Sequence, residues 1–212
     1  YYINMEILKK PIVEKCVWKV SDFKDEKEWT YHFSDDEILE LENAASQIIK
    51  KNLAPTSFSK KDFVLNKLEN VLSDQLDILQ QGRGFIRLRG IQPEKYDELT
   101  LQTIYWGVCS HFGSGIPQNS KGELMSGVKD YGDKLKSDNP YREGLRLHRT
   151  TAKIDAHTDS CDHVALLCVQ RAKEGGESGV ISALALYNEI LKNKPQYLET
   201  PVSYTHLTLP TK

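Results

Sequence analysis

Two residue types that bind metals stand one residue apart in the run "DAHTDSCD", residues 155–162. In a β-strand, residues i and i+2 point to the same face. His157 and Asp159 can therefore aim at one point, with Thr158 turned away. An imidazole and a carboxylate suit Fe(II) in a 2-His-1-carboxylate site, which leaves positions open for a substrate and dioxygen. The spacing is compatible with part of a non-haem iron site.

A second interpretation stays open at this stage. His-x-Asp pairs also arise by chance in a chain that contains 6 histidines. In that case Asp159 caps a turn at the end of a strand, and His157 is partly buried beside it. The pair alone does not decide between a metal site and a strand end.

The elements that precede the pair are predicted to be helical. Residues 33–52 begin with a capping box made by Ser34 and Glu37, and apolar side chains then recur with helical spacing. Residues 63–84 repeat this amphipathic pattern until two glycines stop it. A third helix is predicted over residues 94–113, where a glycine ends it. Three helices are therefore expected before the pair.

Strands are predicted mainly around and after the pair. "GFIRLRGI" (84–91) alternates along its length, as a half-buried strand does. The runs "HVALLCVQ" (163–170) and "GVISALAL" (179–186) are strand-like, and a helix is expected over residues 185–200. Within the loop-rich stretch 114–150, "SGVKDYG" and "GLRLHRTT" are the best strand candidates. Helices followed by strands predict an α+β fold.

Composition narrows the class of protein. The 212 residues carry 28 Lys and Arg against 30 Asp and Glu, for a net charge of −2. This balance argues against nucleic-acid and membrane partners. The four scattered cysteines, which form no Cys-x-x-Cys pair, are interpreted as reduced thiols, and a cytoplasmic protein is expected.

The run from His157 to Ser182 carries a family resemblance. "HTDSCDHVALLCVQRAKEGGESGVIS" resembles the TauD/TfdA-like family of Fe(II)- and 2-oxoglutarate-dependent dioxygenases. That family has an HTD motif, an apolar strand and then a Gly-Gly turn, represented here by residues 175–178. "WTYHFSDDEILELENAA", "GRGFIRLRGI", "IYWGVCSHFG" and "PQNSKGELMSGVKDYG" are similar to other blocks of the family. The resemblance covers roughly residues 29–199.

The resemblance implies a fold and a site. The fold would be a double-stranded β-helix, or cupin-like jelly roll, flanked by helices and incomplete at the C-terminus. His157 and Asp159 would be the first two iron ligands. Ser178 stands where the family has a Ser or Thr that contacts 2-oxoglutarate, and a plain turn serine is an equally weighted alternative. The partners would be 2-oxoglutarate, O2 and an unidentified small organic substrate.

The third ligand is not found in the chain. The family resemblance implies a downstream His, with an Arg some ten residues later that pairs with the far carboxylate of 2-oxoglutarate. His206 is the only histidine after His163, and no Arg follows it. His206 is therefore not assigned as a ligand. We expect the 212-residue chain to be an inactive fragment of a dioxygenase.

The sequences at both ends of the chain differ in character from the family-like blocks between them. The first methionine is Met5, and the last segment, "PVSYTHLTLPTK", resembles a translated sequencing adapter. The expected organisation is an N-terminal extension over 1–28, a partial dioxygenase domain over 29–200 and an artefactual tail over 201–212. An ordinary Thr-rich strand is the alternative for the tail.

Several further residues are weaker candidates. His111 and His163 are expected to be structural, and Cys161 could lie near the iron without binding it. Gln118 and Asn119 match a family block near the active-site mouth, or else form a polar turn.

The loop before the pair departs from the family. Arg146 and Arg149 lie where relatives have substrate-facing residues, although solvated surface is the favoured role. Ala156 replaces a common aromatic residue, and Lys153 a common acidic one. These differences concern the substrate and not the iron. A non-catalytic cupin-type binding module, with or without a passive metal, is the alternative function.

Overall fold

The computed structural model describes residues 8–119, 121–129, 131–132, 154–159 and 161–198. In these ranges two strands and four α-helices are present: β1 (Thr30–His32), α1 (Asp35–Lys50), α2 (Lys67–Gln81), β2 (Arg87–Arg89), α3 (Glu98–Ser110) and α4 (Ala183–Asn193). Short 3-10 helices occupy Val20–Asp22, Glu26–Trp29, Pro93–Lys95 and Pro195–Leu198. No helix in the described part of the chain is both long and apolar enough to cross a membrane.

The chain forms two compact units, each built from separate stretches of sequence. One unit contains Tyr1–Phe33, Ser73–Gly90 and Ser178–Lys212. The other unit contains Ser34–Leu72 and Ile91–Glu177. This second unit, the helical unit, holds α1, the first residues of α2, α3 and the His157–Asp159 pair.

Helix α1 begins as its sequence predicts. The Glu37 carboxylate accepts a hydrogen bond from the Ser34 backbone N–H at 2.7 Å, and the Ser34 hydroxyl oxygen accepts one from the Glu37 N–H at 3.4 Å. This reciprocal pair satisfies two N–H groups that would otherwise lack partners. The buried face of the helix comprises Leu41, Ala44, Ala45 and Ile48.

Helix α3 lies against α1 in the helical unit. The Asp97 carboxylate caps its first turn by accepting the Thr100 N–H at 2.7 Å. Gly107 allows Phe63 to approach closely, because a Cβ at this position would lie 2.4 Å from the Phe63 ring. A side chain is therefore sterically excluded at residue 107.

Helix α2 is shorter than the predicted stretch 63–84. Its N-terminal backbone is capped from another helix, since the Glu40 carboxylate accepts the N–H groups of Asn66 and Leu68. Phe63 and Leu65 precede the helix and are nonetheless buried. Their apolar spacing therefore reflects core packing of an irregular segment, which the sequence pattern does not distinguish from a helical turn.

The other unit contains the two-stranded sheet. Strands β1 and β2 are parallel, with Thr30 opposite Arg87 and His32 opposite Arg89. The Arg87 side chain donates to the Thr30 hydroxyl at 3.0 Å, and its guanidinium lies 2.7 Å from the Glu26 carboxylate. The predicted strand within 84–91 is thus confirmed as a shorter element.

In the same unit, α4 binds the N-terminal segment through side chains. The Asn188 amide both donates to the Ile12 carbonyl and accepts the Ile12 N–H, each at 2.8 Å. The Ser182 hydroxyl donates to the Cys16 carbonyl at 2.5 Å and accepts the Ala185 N–H at 3.0 Å. Ser182 therefore serves as the N-cap of α4.

The predicted strand "GVISALAL" is wrong: residues 179–182 are not in a strand, and Ala183–Leu186 form the first turn of α4. The Ser182 cap starts a helix in an apolar run that periodicity alone does not assign. In the described residues "HVALLCVQ" and "SGVKDYG" are not strands either, since no neighbouring strand there pairs with their backbone. "GLRLHRTT" lies outside the described residues.

The predicted mixture of helices and strands is confirmed, and its finer architecture is not. Within the described ranges the sheet has two parallel strands, β1 and β2. A double-stranded β-helix contains many more strands than these. The jelly roll accordingly stays a prediction that rests on the family resemblance.

Candidate metal centre

His157 and Asp159 lie close together in an irregular stretch of the helical unit. Their Nε2 and Oδ1 atoms are 3.7 Å apart. The two side chains are 57% and 52% exposed, so both atoms are accessible from solvent. Residues 154–159 and 161–170 are called the ligand segment below. The two side chains are close together as predicted, although residues 157–159 do not form a β-strand.

The imidazole orientation is set by the backbone. His157 Nδ1 lies 2.8 Å from the Asp155 carbonyl oxygen. A carbonyl oxygen only accepts, so Nδ1 carries the proton in this contact. In the neutral ring, Nε2 then presents its lone pair on the side of Asp159. Metal-binding histidines characteristically have such a partner on the other nitrogen, because it fixes the tautomer and the ring plane.

The donor atoms are compatible with one shared ion. First-row divalent metals bind imidazole nitrogen and carboxylate oxygen at about 2.0–2.2 Å, so two ligands of one ion are separated by at most about 4.3 Å. The observed 3.7 Å is inside this limit, which applies to ligands on opposite sides of the ion. Adjacent ligands of a facial triad are about 3 Å apart, so the two donor atoms must approach each other by about 0.7 Å to bind one ion in that arrangement. Among the described residues, no group of three or more His, Cys, Asp or Glu side chains is placed to hold a metal. In the described residues the pair thus brings two ligand-type side chains together, without a third beside them.

Ser178 follows a glycine turn. Gly175 and Gly176 have φ values of 67° and 80°, which L-residues with side chains rarely adopt. The serine itself is exposed and belongs to the other compact unit. Its two interpretations, a 2-oxoglutarate contact and a turn serine, both stay open.

His111 lies in the core of the helical unit. Its side chain is buried, and Nε2 is 3.2 Å from the Phe63 carbonyl oxygen. Burial lowers the pKa of His111, which the contact with the Phe63 carbonyl only partly offsets. The ring is therefore neutral at pH 7, with the Nε2 hydrogen donated to this carbonyl. This placement agrees with a structural role.

Gln118 and Asn119 form a compact polar turn. The Asn119 side-chain oxygen accepts the Lys121 N–H at 2.9 Å, and the Gln118 N–H donates to the Glu123 carbonyl at 2.6 Å. The turn interpretation accounts for both residues. His163 and Cys161 are half-buried, near the start of the "HVALLCV" run. Lys153, Arg146 and Arg149 lie outside the described residues, as does His206.

One contact of the ligand segment has no sequence signal. The Tyr105 hydroxyl on α3 donates to the Ala165 carbonyl of the ligand segment at 2.7 Å. Burial raises the pKa of Tyr105, and the neighbouring Cys109 thiol raises it further. Burial likewise raises the pKa of Cys109, to about 11. The sequence signals only that Tyr105 lies on a predicted helix, because its partner is 60 residues away.

The family of the chain follows from comparison with known proteins. The family model described as "Taurine catabolism dioxygenase TauD, TfdA family" matches residues 50–208, about three quarters of the chain. The protein therefore belongs to the TauD/TfdA family, as the resemblance in the HTD run predicts.

Two curated relatives align with most of the chain. It is 31% identical over 195 residues to "FR-33289 synthase" of Streptomyces rubellomurinus (strain ATCC 31215), covering 92% of this chain and 56% of that protein. It is 28% identical over 190 residues to "Taurine hydroxylase-like protein SAT17" of Stachybotrys chartarum (strain CBS 109288 / IBT 7711), covering 88% and 49% respectively. The chain spans about half the length of these curated relatives.

Proposed function

We propose that the whole protein is an Fe(II)- and 2-oxoglutarate-dependent dioxygenase that hydroxylates or oxidises a small organic molecule. Membership of the TauD/TfdA family gives the dioxygenase class. The single structural observation that supports the proposal is the His157–Asp159 pair. Its donor atoms are 3.7 Å apart, and its imidazole is turned with Nε2 free to bind.

In this proposal each residue has a defined task. His157 Nε2 and an Asp159 carboxylate oxygen hold Fe(II), and the Asp155 carbonyl keeps the proton of His157 on Nδ1. Ser178 donates a hydrogen bond to a 2-oxoglutarate carboxylate. When bound, iron and 2-oxoglutarate would supply the activation of O2: one oxygen atom would enter succinate as 2-oxoglutarate loses CO2, and the other would oxidise the substrate. The jelly roll of the family is proposed as the scaffold of the complete site.

The 212-residue chain alone is proposed to have little catalytic activity. In its described part, two ligand-type side chains come together, whereas an iron site of this class needs three protein ligands. The exposure of both side chains also leaves the pair open to water. A catalytic site that excludes water requires more protein around it than the ligand segment provides.

The substrate class is proposed only as a small organic molecule. The relatives carry the words "synthase" and "taurine hydroxylase-like" in their names, which point to oxidation of small molecules and to no single compound. A cytoplasmic protein without nucleic-acid or membrane partners accords with the near-neutral charge of −2.

A cupin-type binding module is the second candidate. It is favoured by the openness of the pair, since each side chain is more than half exposed. Such a module would bind a metal passively with His157 and Asp159, and 2-oxoglutarate would not bind with it. Metal-dependent binding of 2-oxoglutarate therefore separates the two functions.

The test is equilibrium dialysis of labelled 2-oxoglutarate with and without Mn2+, a redox-silent substitute for Fe(II). The dioxygenase proposal predicts 2-oxoglutarate binding that requires Mn2+ and is lost in His157→Ala and Asp159→Ala. His163→Ala, in the same run of sequence, is the matched control and should retain binding. Mn2+ binding without any 2-oxoglutarate binding would favour the module.

A further inference from the structure

The ligand segment is joined to the helical unit by a hydrogen bond from a tyrosine. The Tyr105 hydroxyl donates to the Ala165 carbonyl at 2.7 Å. The side chains around that carbonyl are exposed, with Val164 at 58% and Leu166 at 70%. Apolar packing therefore does little to hold this part of the segment. One hydrogen bond therefore contributes a larger share of the free energy that holds this segment in place than it would in a packed core.

Helix α3 is a firm support for such a contact. The residue next to Tyr105, Trp106, is buried and donates its indole N–H to the Phe58 carbonyl at 2.9 Å. Ile104, on the other side, is 1% exposed. The position of residue 105 is thus fixed by its two neighbours in the core. The Tyr105 hydroxyl therefore offers the Ala165 carbonyl a donor at a fixed position on α3.

The contact is close enough in sequence to restrict the metal ligands. Ala165 follows Asp159 by six residues and His157 by eight. An extended chain spans at most about 3.3–3.6 Å per residue, so the Asp159 backbone stays within about 22 Å of the anchored carbonyl. Releasing the anchor enlarges the volume that both ligands sample. The pair would then no longer be held in one position relative to α3.

We propose that Tyr105 is a positioning residue for the His157–Asp159 pair: its hydroxyl holds the Ala165 carbonyl and so fixes the ligand segment on α3. This inference rests on the proposed function, because it assigns Tyr105 a role toward the metal ligands. The hydroxyl keeps its proton and can donate at neutral pH, since burial raises the pKa of the Tyr105 phenol above its usual value. Its contribution therefore does not vary over the physiological pH range.

Tyr105→Phe tests the inference, because it removes the hydroxyl and keeps the ring. Tyr96→Phe is the matched control, since the Tyr96 hydroxyl makes a 2.7 Å hydrogen bond to Glu42 in the same unit, away from the ligand segment. Two quantities are measured on the 212-residue chain. One is amide hydrogen exchange of residues 157–169, and the other is the dissociation constant of Mn2+ from the free-ion EPR signal.

The inference predicts faster exchange of the ligand segment and roughly threefold to tenfold weaker Mn2+ binding in Tyr105→Phe, the range expected for one lost hydrogen bond. Tyr96→Phe should change neither quantity. Unchanged exchange of residues 157–169 in Tyr105→Phe would overturn the inference, and so would an equal loss of Mn2+ affinity in both variants.

Failure of the proposed function looks different. If the unmodified chain binds Mn2+ no better than His157→Ala does, the metal role fails, and the positioning role falls with it. Hydrogen exchange would then still report whether Tyr105 anchors the segment, so the two failures are distinguished.

Discussion

Two regions of the helical unit are built in opposite ways: the core formed by α1, the first residues of α2 and α3, and the ligand segment. Phe63, Leu68 and Ile104 are at most 1% exposed, whereas Val164 and Leu166 are more than half exposed. The first region is held by close packing of side chains. The second is held by individual polar contacts, such as that of Tyr105. Stability should therefore respond to the core, and metal chemistry to the segment.

The largest expected effect is in the core. Phe63→Ala should lower the free energy of unfolding by about 3–5 kcal/mol, because it leaves a cavity beneath α3. The next residue provides the control: Val64 is 64% exposed, and Val64→Ala should change the free energy by less than about 0.5 kcal/mol. Urea denaturation measures both. Equal losses of unfolding free energy in the two variants would contradict the conclusion that Phe63 is packed in the core and Val64 is not.

A smaller loss is expected from overpacking. Gly107→Ala places a Cβ 2.4 Å from the Phe63 ring, and about 1–3 kcal/mol of stability should be lost as the ring moves. Gly113→Ala is the matched control, because no atom lies within 4 Å of a Cβ there. The midpoints of thermal unfolding give the comparison. If Gly107→Ala were as stable as Gly113→Ala, the Phe63 ring would not lie as close to residue 107 as the structure shows.

The core should also be sensitive to acid through His111. Burial lowers its pKa from the ordinary 6.5, so the unfolded chain binds the proton more readily. The contribution of neutral His111 is present above about pH 6.5 and is lost as the pH falls through the lower folded-state pKa. The charges that face the ring are Lys60, which lowers the pKa further, and Glu69, which raises it.

His111→Gln should therefore flatten the loss of unfolding free energy between pH 7 and pH 5, measured by urea titration at each pH. The same substitution at exposed His32 should leave that loss in place. A pH dependence that persists unchanged in His111→Gln would show that other groups cause it.

The smallest effect is expected in the ligand segment. Leu166 is 70% exposed, so Leu166→Ser should change the free energy of unfolding by less than about 0.5 kcal/mol. Calorimetry of the variant measures this directly. A loss of several kcal/mol would mean that Leu166 is packed in solution, and the contrast with the core would disappear.

The local elements were largely predictable, because their signals are local. Ser34 and Glu37 mark the start of α1 in the sequence, and the structure has the same capping box. The start of α2 was not predictable, since the cap comes from Glu40 on another helix. The helix predicted over residues 185–200 is present as α4, but its first turn was assigned to a strand, because a short apolar run suits either element.

The candidate site was predictable only in part. The spacing of His157 and Asp159 predicts that they can meet, and they do at 3.7 Å. Neither the bond from His157 to the Asp155 carbonyl nor the bond from Tyr105 to Ala165 has a sequence signature. The bond to Asp155 depends on a bend of the backbone, and the bond to Ala165 joins residues that are 60 positions apart.

The central claim is that His157 and Asp159 bind one metal ion. Its most direct test is a Mn2+ titration of the 212-residue chain followed by EPR, with His157→Ala, Asp159→Ala and the control His163→Ala. The account predicts one site whose affinity falls at least tenfold in each of the first two variants and stays unchanged in the third. Equal Mn2+ binding by all four proteins would contradict it.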